Sequence, residues 1–447
     1  MKKKWKIILG ILVVLIIVLG VFVYEVFQTI AGSETLAGSQ SAIPENDGLI
    51  PPLSSGTADW PNWRGKNFDG KINIRGIRTN WDGGLKKLWS VDYLCQGTAT
   101  ASWAAPVIAG NRLVVTGRDE KNDLVICLNS ETGSLIWKGE YEAPAGDSHG
   151  PGARATPFID QDRVYTYGRS GDIACWELLD GELLWRKNVK DIGGEEPDWG
   201  LSSSPLVFDN KVIVQGGGTA LVVAYDKLNG NVVWKSLEGA SGYAAVIPIT
   251  IDSSQYLLVY HAVALSCLNP ADGKEMWRVP WETDYGVNAT TPAIDKDLIF
   301  HTSGYEKGCQ LLKVTKDNFK ILWTNTAIAS HHSDPVIFDG YIYGYSGQSN
   351  QNKGDFKCID LASGKEMWST GEIGWGTAVA VNDYMICIDI KGNLYLVKPG
   401  STGFQKVAEF KNSIPDVSHP VWTGPVVADG KLYLRYMQHL ICYDLMP

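Results

Sequence analysis

From residue 85 onward the chain alternates short apolar runs with turn residues. RLVVTG (112–117), RVYTYG (163–168), KVIVQG (211–216), YIYGYS (341–346) and KLYLRY (431–436) are rich in β-branched and aromatic side chains, with Gly, Asn and Asp between them. Runs of this kind predict strands, and no stretch sustains the 3.6-residue period of an amphipathic helix. The expected class is all-β.

A second pattern lies over the first. Residues 127–137 read CLNSETGSLIW, 267–277 CLNPADGKEMW, 358–368 CIDLASGKEMW, 175–185 CWELLDGELLW and 224–234 AYDKLNGNVVW. Each has a small first residue, an acidic or amide residue two places on, glycine at the seventh place and tryptophan at the eleventh. The tryptophans Trp137, Trp185, Trp234, Trp277, Trp323 and Trp368 recur at intervals of 48, 49, 43, 46 and 45 residues, the spacing of propeller blades or helical solenoid repeats. Strand signals select the propeller. A proline precedes each unit's apolar run at Pro106, Pro157, Pro205, Pro248, Pro292, Pro335 and Pro425, with Ala378 in the same register, which makes eight units. The last unit ends at ICYDLMP without glycine or tryptophan, while LKKLWSVD (85–92) supplies Trp89 before the first unit begins. Pairing the two would close a ring and leave no open sheet edge.

The eleven-residue motif resembles the tryptophan-docking motif of the quinoprotein, or PQQ-like, eight-bladed β-propellers, over the chain from about residue 85 to its end. DWPNWRGKNFDGK (59–71) also looks like the lead-in of such propellers in exported bacterial proteins. Glycine at the seventh place suits the positive φ of a tight turn, and the tryptophan is large enough to reach the neighbouring blade. Trp89 and the six repeat tryptophans are therefore read as structural. Two departures, Phe319 for glycine in the fifth copy and Val407 for tryptophan in the seventh, mark the blades expected to be least regular.

Ahead of the propeller the chain divides into residues 1–30, 31–59 and 60–84. MKKKWK precedes an uncharged run from Ile7 to Tyr24, long enough to cross a hydrocarbon core as a helix, with the lysines holding its start in the cytoplasm. This predicts a transmembrane signal anchor and a propeller in the periplasm or outside the cell. A cleaved signal peptide is the alternative, TIA (29–31) being weakly like a cleavage site. Residues 31–59, rich in Gly, Ser and Pro, read as a flexible tether and 60–84 as the lead-in. A net charge of −9 with no basic run beyond the first six residues excludes a nucleic-acid surface. Eight cysteines would suggest disulfides in an exported protein, but Cys127, Cys175, Cys267 and Cys358 share the first motif place and Cys442 opens the truncated copy. Such places on stacked blades are too far apart to bridge.

No calcium loop, P-loop, zinc or nucleophile motif is present, and the resemblance carries no catalytic residue onto this chain. Position within the blade is more informative. The residues three before each proline landmark should form a circle at the mouth of the channel: Trp103, Arg154, Ser202, Ala245, Ala289, His332, Trp375 and Trp422. His332, Trp375, Trp422, Trp103 and Arg154 make one aromatic arc and the opposite side is small. The arc is either a ligand-facing surface or a plug of tryptophans closing the channel, and the loop AGDSHGPG (145–152), with Asp147 and His149, lies over it as a partial lid. The expected function is a membrane-anchored binding or scaffold module of the cell envelope, similar to the propeller subunit of the outer-membrane β-barrel assembly machinery. Its partner would be an envelope protein or a glycan, and no cofactor is expected. The alternative is an oxidoreductase of alcohols or sugars using pyrroloquinoline quinone with calcium.

Overall fold

The structure, a computed structural model, describes residues 38–447 except 47, 49, 57, 147–148 and 349–352. The expected anchor lies outside the described residues. Eight antiparallel sheets form a ring of blades, their strands running from the central channel outward in chain order. Blade 1 is Val107–Ala109, Arg112–Arg118, Asn122–Asn129 and Leu135–Glu142, and blades 2 to 7 repeat it up to Lys406–Phe410. Blade 8 takes three strands from the C-terminus and its outermost, Lys87–Val91, from the front of the chain, with Trp89 opposite Cys442. The ring closes there. Burial follows from stacking on both sides: all of Arg112–Arg118 is buried, whereas the outer strand Leu135–Glu142 buries alternate residues and shows the others to water.

The joints between blades explain the repeated letters. The indole nitrogens of Trp89, Trp137, Trp185, Trp234, Trp277, Trp323 and Trp368 donate to the carbonyls of Ser130, Leu178, Lys227, Pro270, Thr315, Leu361 and Gly400, each on the next blade. Under five of these rings, those of Trp89, Trp137, Trp185, Trp234 and Trp323, lies the motif glycine of the next blade. A Cβ at Gly181 would stand 2.5 Å from Trp137 Cε3, and one at Gly133 2.6 Å from Trp89 Cε3. Glycine is thus required twice over, for φ near +80° at Gly181 and as the floor of its neighbour's tryptophan. The sequence signal for the turn was visible; the partnership across blades was not.

The two irregular copies keep this logic by other means. In blades 5 and 7 the pairs Leu311↔Trp323 and Leu396↔Ala408 replace Cys127↔Trp137 of blade 1, so the turn is two residues longer. The seventh docking place therefore belongs to Ala408, and Val407, aligned there by motif spacing, is exposed. Phe319 and Phe404 fill the longer turns and meet Trp277 and Trp368 at 5.8 Å between ring centroids. At the joint of blades 7 and 8 the partnership is Phe410 upon Gly84, a Cβ there meeting the ring at 2.7 Å. All eight cysteines are buried free thiols, those of the first motif place lying opposite docking tryptophans.

Two N-terminal segments pack against the blades, one in the expected tether and one in the expected lead-in. The described residues between 38 and 58 run as a strap along blades 1 and 8. Gly38 and Ser39 donate to the carbonyls of Gly97 and Cys95, Arg112 and Asn111 bind the carbonyls of Pro51 and Pro52 at 2.6 and 2.9 Å, and Ala58 donates to Asp429 at 2.9 Å. Proline-rich extended backbone leaves its carbonyls unpaired, and the blade's turn supplies the donors. The chain then turns into the channel. Trp60 pairs with Ile108 of blade 1 and the Pro61 carbonyl accepts from Ile159 of blade 2, while Lys71–Ile72 add a parallel strand to blade 7. Buried Arg64 ties this hairpin to the far side, donating to the Pro335 carbonyl at 2.7 Å and facing Asp334 at 3.4 Å. The lead-in is the channel's plug.

Candidate functional site

Above the plug the channel opens into a cavity of about 270 Å³. It lies on the face that carries the loops from each blade's outer strand to the next inner strand, so one segment from nearly every blade reaches it. Trp103, Arg154, Ser202, Ala245, Ala289, His332 and Trp422 of the expected circle line this funnel. Trp375 does not. Its side chain is fully buried between blades 6 and 7, with its indole donating to the Gly347 carbonyl at 3.2 Å and lying over Gly354, where a Cβ would come within 2.5 Å. From there it backs His332 at 4.7 Å between ring centroids. The glycine that admits it, Gly354, was the available sequence signal.

The arc is also wider than one side. Trp103 and Trp422 pack at 4.9 Å, Trp422 meets His332 edge-on at 5.9 Å, and His332 meets His331 at 5.2 Å. His331 contacts Tyr305 at 5.3 Å, Tyr305 contacts Tyr285 at 5.5 Å, and Trp199 joins Tyr285 and Tyr243 at 6.1 and 6.0 Å. The circle of rings thus continues over the small residues Ser202, Ala245 and Ala289, which leave the room below it. Trp199, Tyr243, Tyr285 and Tyr305 come from loops of unequal length, out of register with the repeat. Tyr285 and Tyr305 stand at φ of 59° and 55°, a costly conformation for bulky residues and one that clusters at functional sites.

Arg154 closes the circle as a clamp. Its guanidinium donates to the carbonyl of Trp199 and to those of His149 and Gly150 at 3.1 and 3.4 Å, and the His149 carbonyl also accepts from Trp103 Nε1 at 3.0 Å. The expected lid loop is therefore pinned at His149; Asp147 lies outside the described residues. The floor of the funnel is Trp63 of the plug, whose indole donates to the Thr291 hydroxyl at 2.8 Å. Burial drives His332 down to about 3, helped by its neighbours His331 and Arg154, and His331 down to about 4. Both are neutral imidazoles at neutral pH. Among the described residues no carboxylate lines the funnel, and no cluster of His, Cys, Asp and Glu could hold a metal ion.

A family model described as outer membrane protein assembly factor BamB matches residues 143–370, just over half of the chain. The chain belongs to this PQQ-like propeller family. Among curated members it is similar to the outer membrane protein assembly factor BamB of Moranella endobia, with 25% identity over 280 residues, 56% of this chain and 68% of that one. Among solved structures, BamB from Moraxella catarrhalis superposes with a TM-score of 0.57 at 14% identity, covering 80% of this chain and 97% of that one. The quinohemoprotein alcohol dehydrogenase from Comamonas testosteroni superposes at 0.61 and 13% identity, covering 88% and 82%. At these identities the superpositions speak for the fold.

The alternative expectation of a quinone held with calcium can be set against the funnel's donors. Calcium takes six to eight oxygen ligands, carboxylates prominent among them. The described lining offers indoles, imidazoles, hydroxyls and one guanidinium turned to backbone carbonyls. Among the described residues this lining offers calcium no carboxylate ligand.

Proposed function

We propose that the protein is a binding module of the cell envelope, held at a membrane by residues 1–30, which captures an envelope component at its aromatic funnel. The observation that carries this reading is the funnel itself: a ring of aromatic side chains, locked by Arg154 and floored by the plug, with no acid–base pair among its described residues. Rigid aromatic surface of this kind binds with little loss of side-chain freedom. Relatives named as outer membrane protein assembly factors agree with a role in binding.

The strap adds an orientation. Gly38 is held beside Gly97, where the strand hairpins of blades 8 and 1 end on the funnel face, and residues 31–37 can span at most about 25 Å when fully extended. An anchor ending at residue 30 would keep the funnel face within that reach of the bilayer. The test is site-specific photo-cross-linking in intact membranes. A cross-linker at exposed Tyr285 on the funnel rim should capture an envelope component, and one at exposed Leu228 on the opposite face should not. Capture from Leu228 alone, or recovery of the full-length chain in the soluble fraction without cleavage, would defeat the proposal.

A further inference from the structure

We propose that the ligand of the funnel is a neutral saccharide ring, an inference that rests on the binding-module reading above. Size comes first. About 270 Å³ lies just below the usual range of ligand pockets, roughly 300 to 1,000 Å³, so the site suits a ring-sized group and not a helix or a strand. Shape comes next. Trp422 and Tyr243 both line the cavity from joints four blades apart in a ring of eight, and so from opposite sides of it. Two opposed aromatic walls suit a flat ring with apolar faces.

Charge then narrows the chemistry. A cationic ligand would be favoured by aromatic faces, but it would meet the Arg154 guanidinium with no carboxylate in the described lining to offset it. An anion would need guanidinium donors, and both terminal nitrogens of Arg154 are directed at the carbonyls of Trp199, His149 and Gly150. A purely apolar ring would leave polar groups of the wall unsatisfied, at a cost. The lining carries the hydroxyls of Ser202 and Tyr305, which donate and accept, and the imidazole of His332, which has one donor and one acceptor when neutral. Sugar hydroxyls both donate and accept, so a pyranose satisfies this mixed neutral set while its C–H faces lie on the aromatic walls.

The experiment is titration of the purified full-length protein in detergent with chitotriose, cellotriose and maltotriose, followed by tryptophan fluorescence and calorimetry. Choline, citrate and a tryptophan-containing tripeptide serve as comparison probes. A saturable response to at least one saccharide and to none of the comparison probes is expected. Tyr243→Ala should abolish that binding with the thermal midpoint little changed, and Trp422→Ala, which removes the aromatic wall on the other side of the cavity, should abolish it as well. Binding of the tripeptide, choline or citrate in place of every saccharide would overturn the saccharide assignment and leave the funnel as a binding site. Saccharide binding unaffected by either substitution would place the ligand elsewhere. Silence from all probes, with productive cross-linking at Tyr285, would overturn the saccharide proposal without touching the binding-module reading, whereas silence in both would remove both.

Discussion

A glycine and a tryptophan on neighbouring blades should behave as one unit, and the joint between blades 1 and 2 allows the coupling to be sized. Trp137 is 4% exposed and its indole donates to the Leu178 carbonyl at 2.9 Å; truncating such a residue to alanine costs about 3–5 kcal/mol. Gly181 sits at φ +80°, and a Cβ there would stand 2.5 Å from the Trp137 ring. Gly181→Ala therefore carries two costs in the wild-type background: about 1–2 kcal/mol for the left-handed backbone and about 1–3 kcal/mol for displacing the indole. With Trp137→Ala the obstruction is gone and only the backbone cost remains. The double variant should be less destabilised than the sum of the single variants by about 1–3 kcal/mol. Urea denaturation followed by far-ultraviolet circular dichroism, with slopes compared among the four proteins, measures the coupling. Additivity within about 0.5 kcal/mol would show that ring and glycine do not depend on each other.

Four further outcomes are expected. Deleting residues 85–92 uncovers the strand His439–Asp444 and should give an aggregating product on size-exclusion chromatography; a monomer with an unchanged melting temperature would contradict the ring closure. His261, His301 and His331 are held down to about 4 and His332 to about 3, so between those values and the unfolded value near 6.5 the unfolded chain binds more protons. Stability should fall as pH is lowered from about 6.5 toward 4, read as a falling thermal midpoint, and His332→Gln should flatten the slope. Alkylation under native conditions should spare all eight buried thiols and modify them after unfolding without reductant; a bridged pair found by mass spectrometry would contradict the blade register. Incubation with pyrroloquinoline quinone and calcium should leave no bound chromophore after gel filtration, and a retained, dye-reducing chromophore would restore the oxidoreductase alternative.

The propeller was legible because its joints repeat. Five of the seven docking tryptophans meet a glycine at the same motif place on the next blade, so the spacing survives in the letters even where the first place changes from Cys127 to Ala224. Blades 5 and 7 escaped that alignment since a turn longer by two residues moves the docking place, to Ala408 in blade 7, and aromatic Phe319 and Phe404 then stand where glycine would. The funnel was half legible. Trp103, Arg154, His332 and Trp422 lie at a place fixed by the inner strand, whereas Trp199, Tyr243, Tyr285 and Tyr305 hang on loops whose lengths no period governs. Trp375 shared the register of the first group, yet burial against Gly354 turned its indole away. The plug could be read only as a lead-in, because nothing in 59–71 states that Arg64 will reach Asp334 some 270 positions on.

The seam of the ring has a consequence in time. Each tryptophan joint needs only the next blade, so blades 1 to 7 can lock one after another as the chain emerges. The strand Lys87–Val91 must wait for its partner, Trp89 finding Cys442 only after nearly the whole chain exists. At ordinary synthesis rates that wait is on the order of 20–70 s, and closing so long a loop costs about 5 kcal/mol of chain entropy. The plug waits with it, its partners Pro335, Ala380 and Leu445 also being late. A half-made propeller therefore carries one bare strand edge and an open bore through most of its assembly. The slow phase of folding, the site of premature cleavage and the point where a chaperone would hold the chain should all fall at this seam.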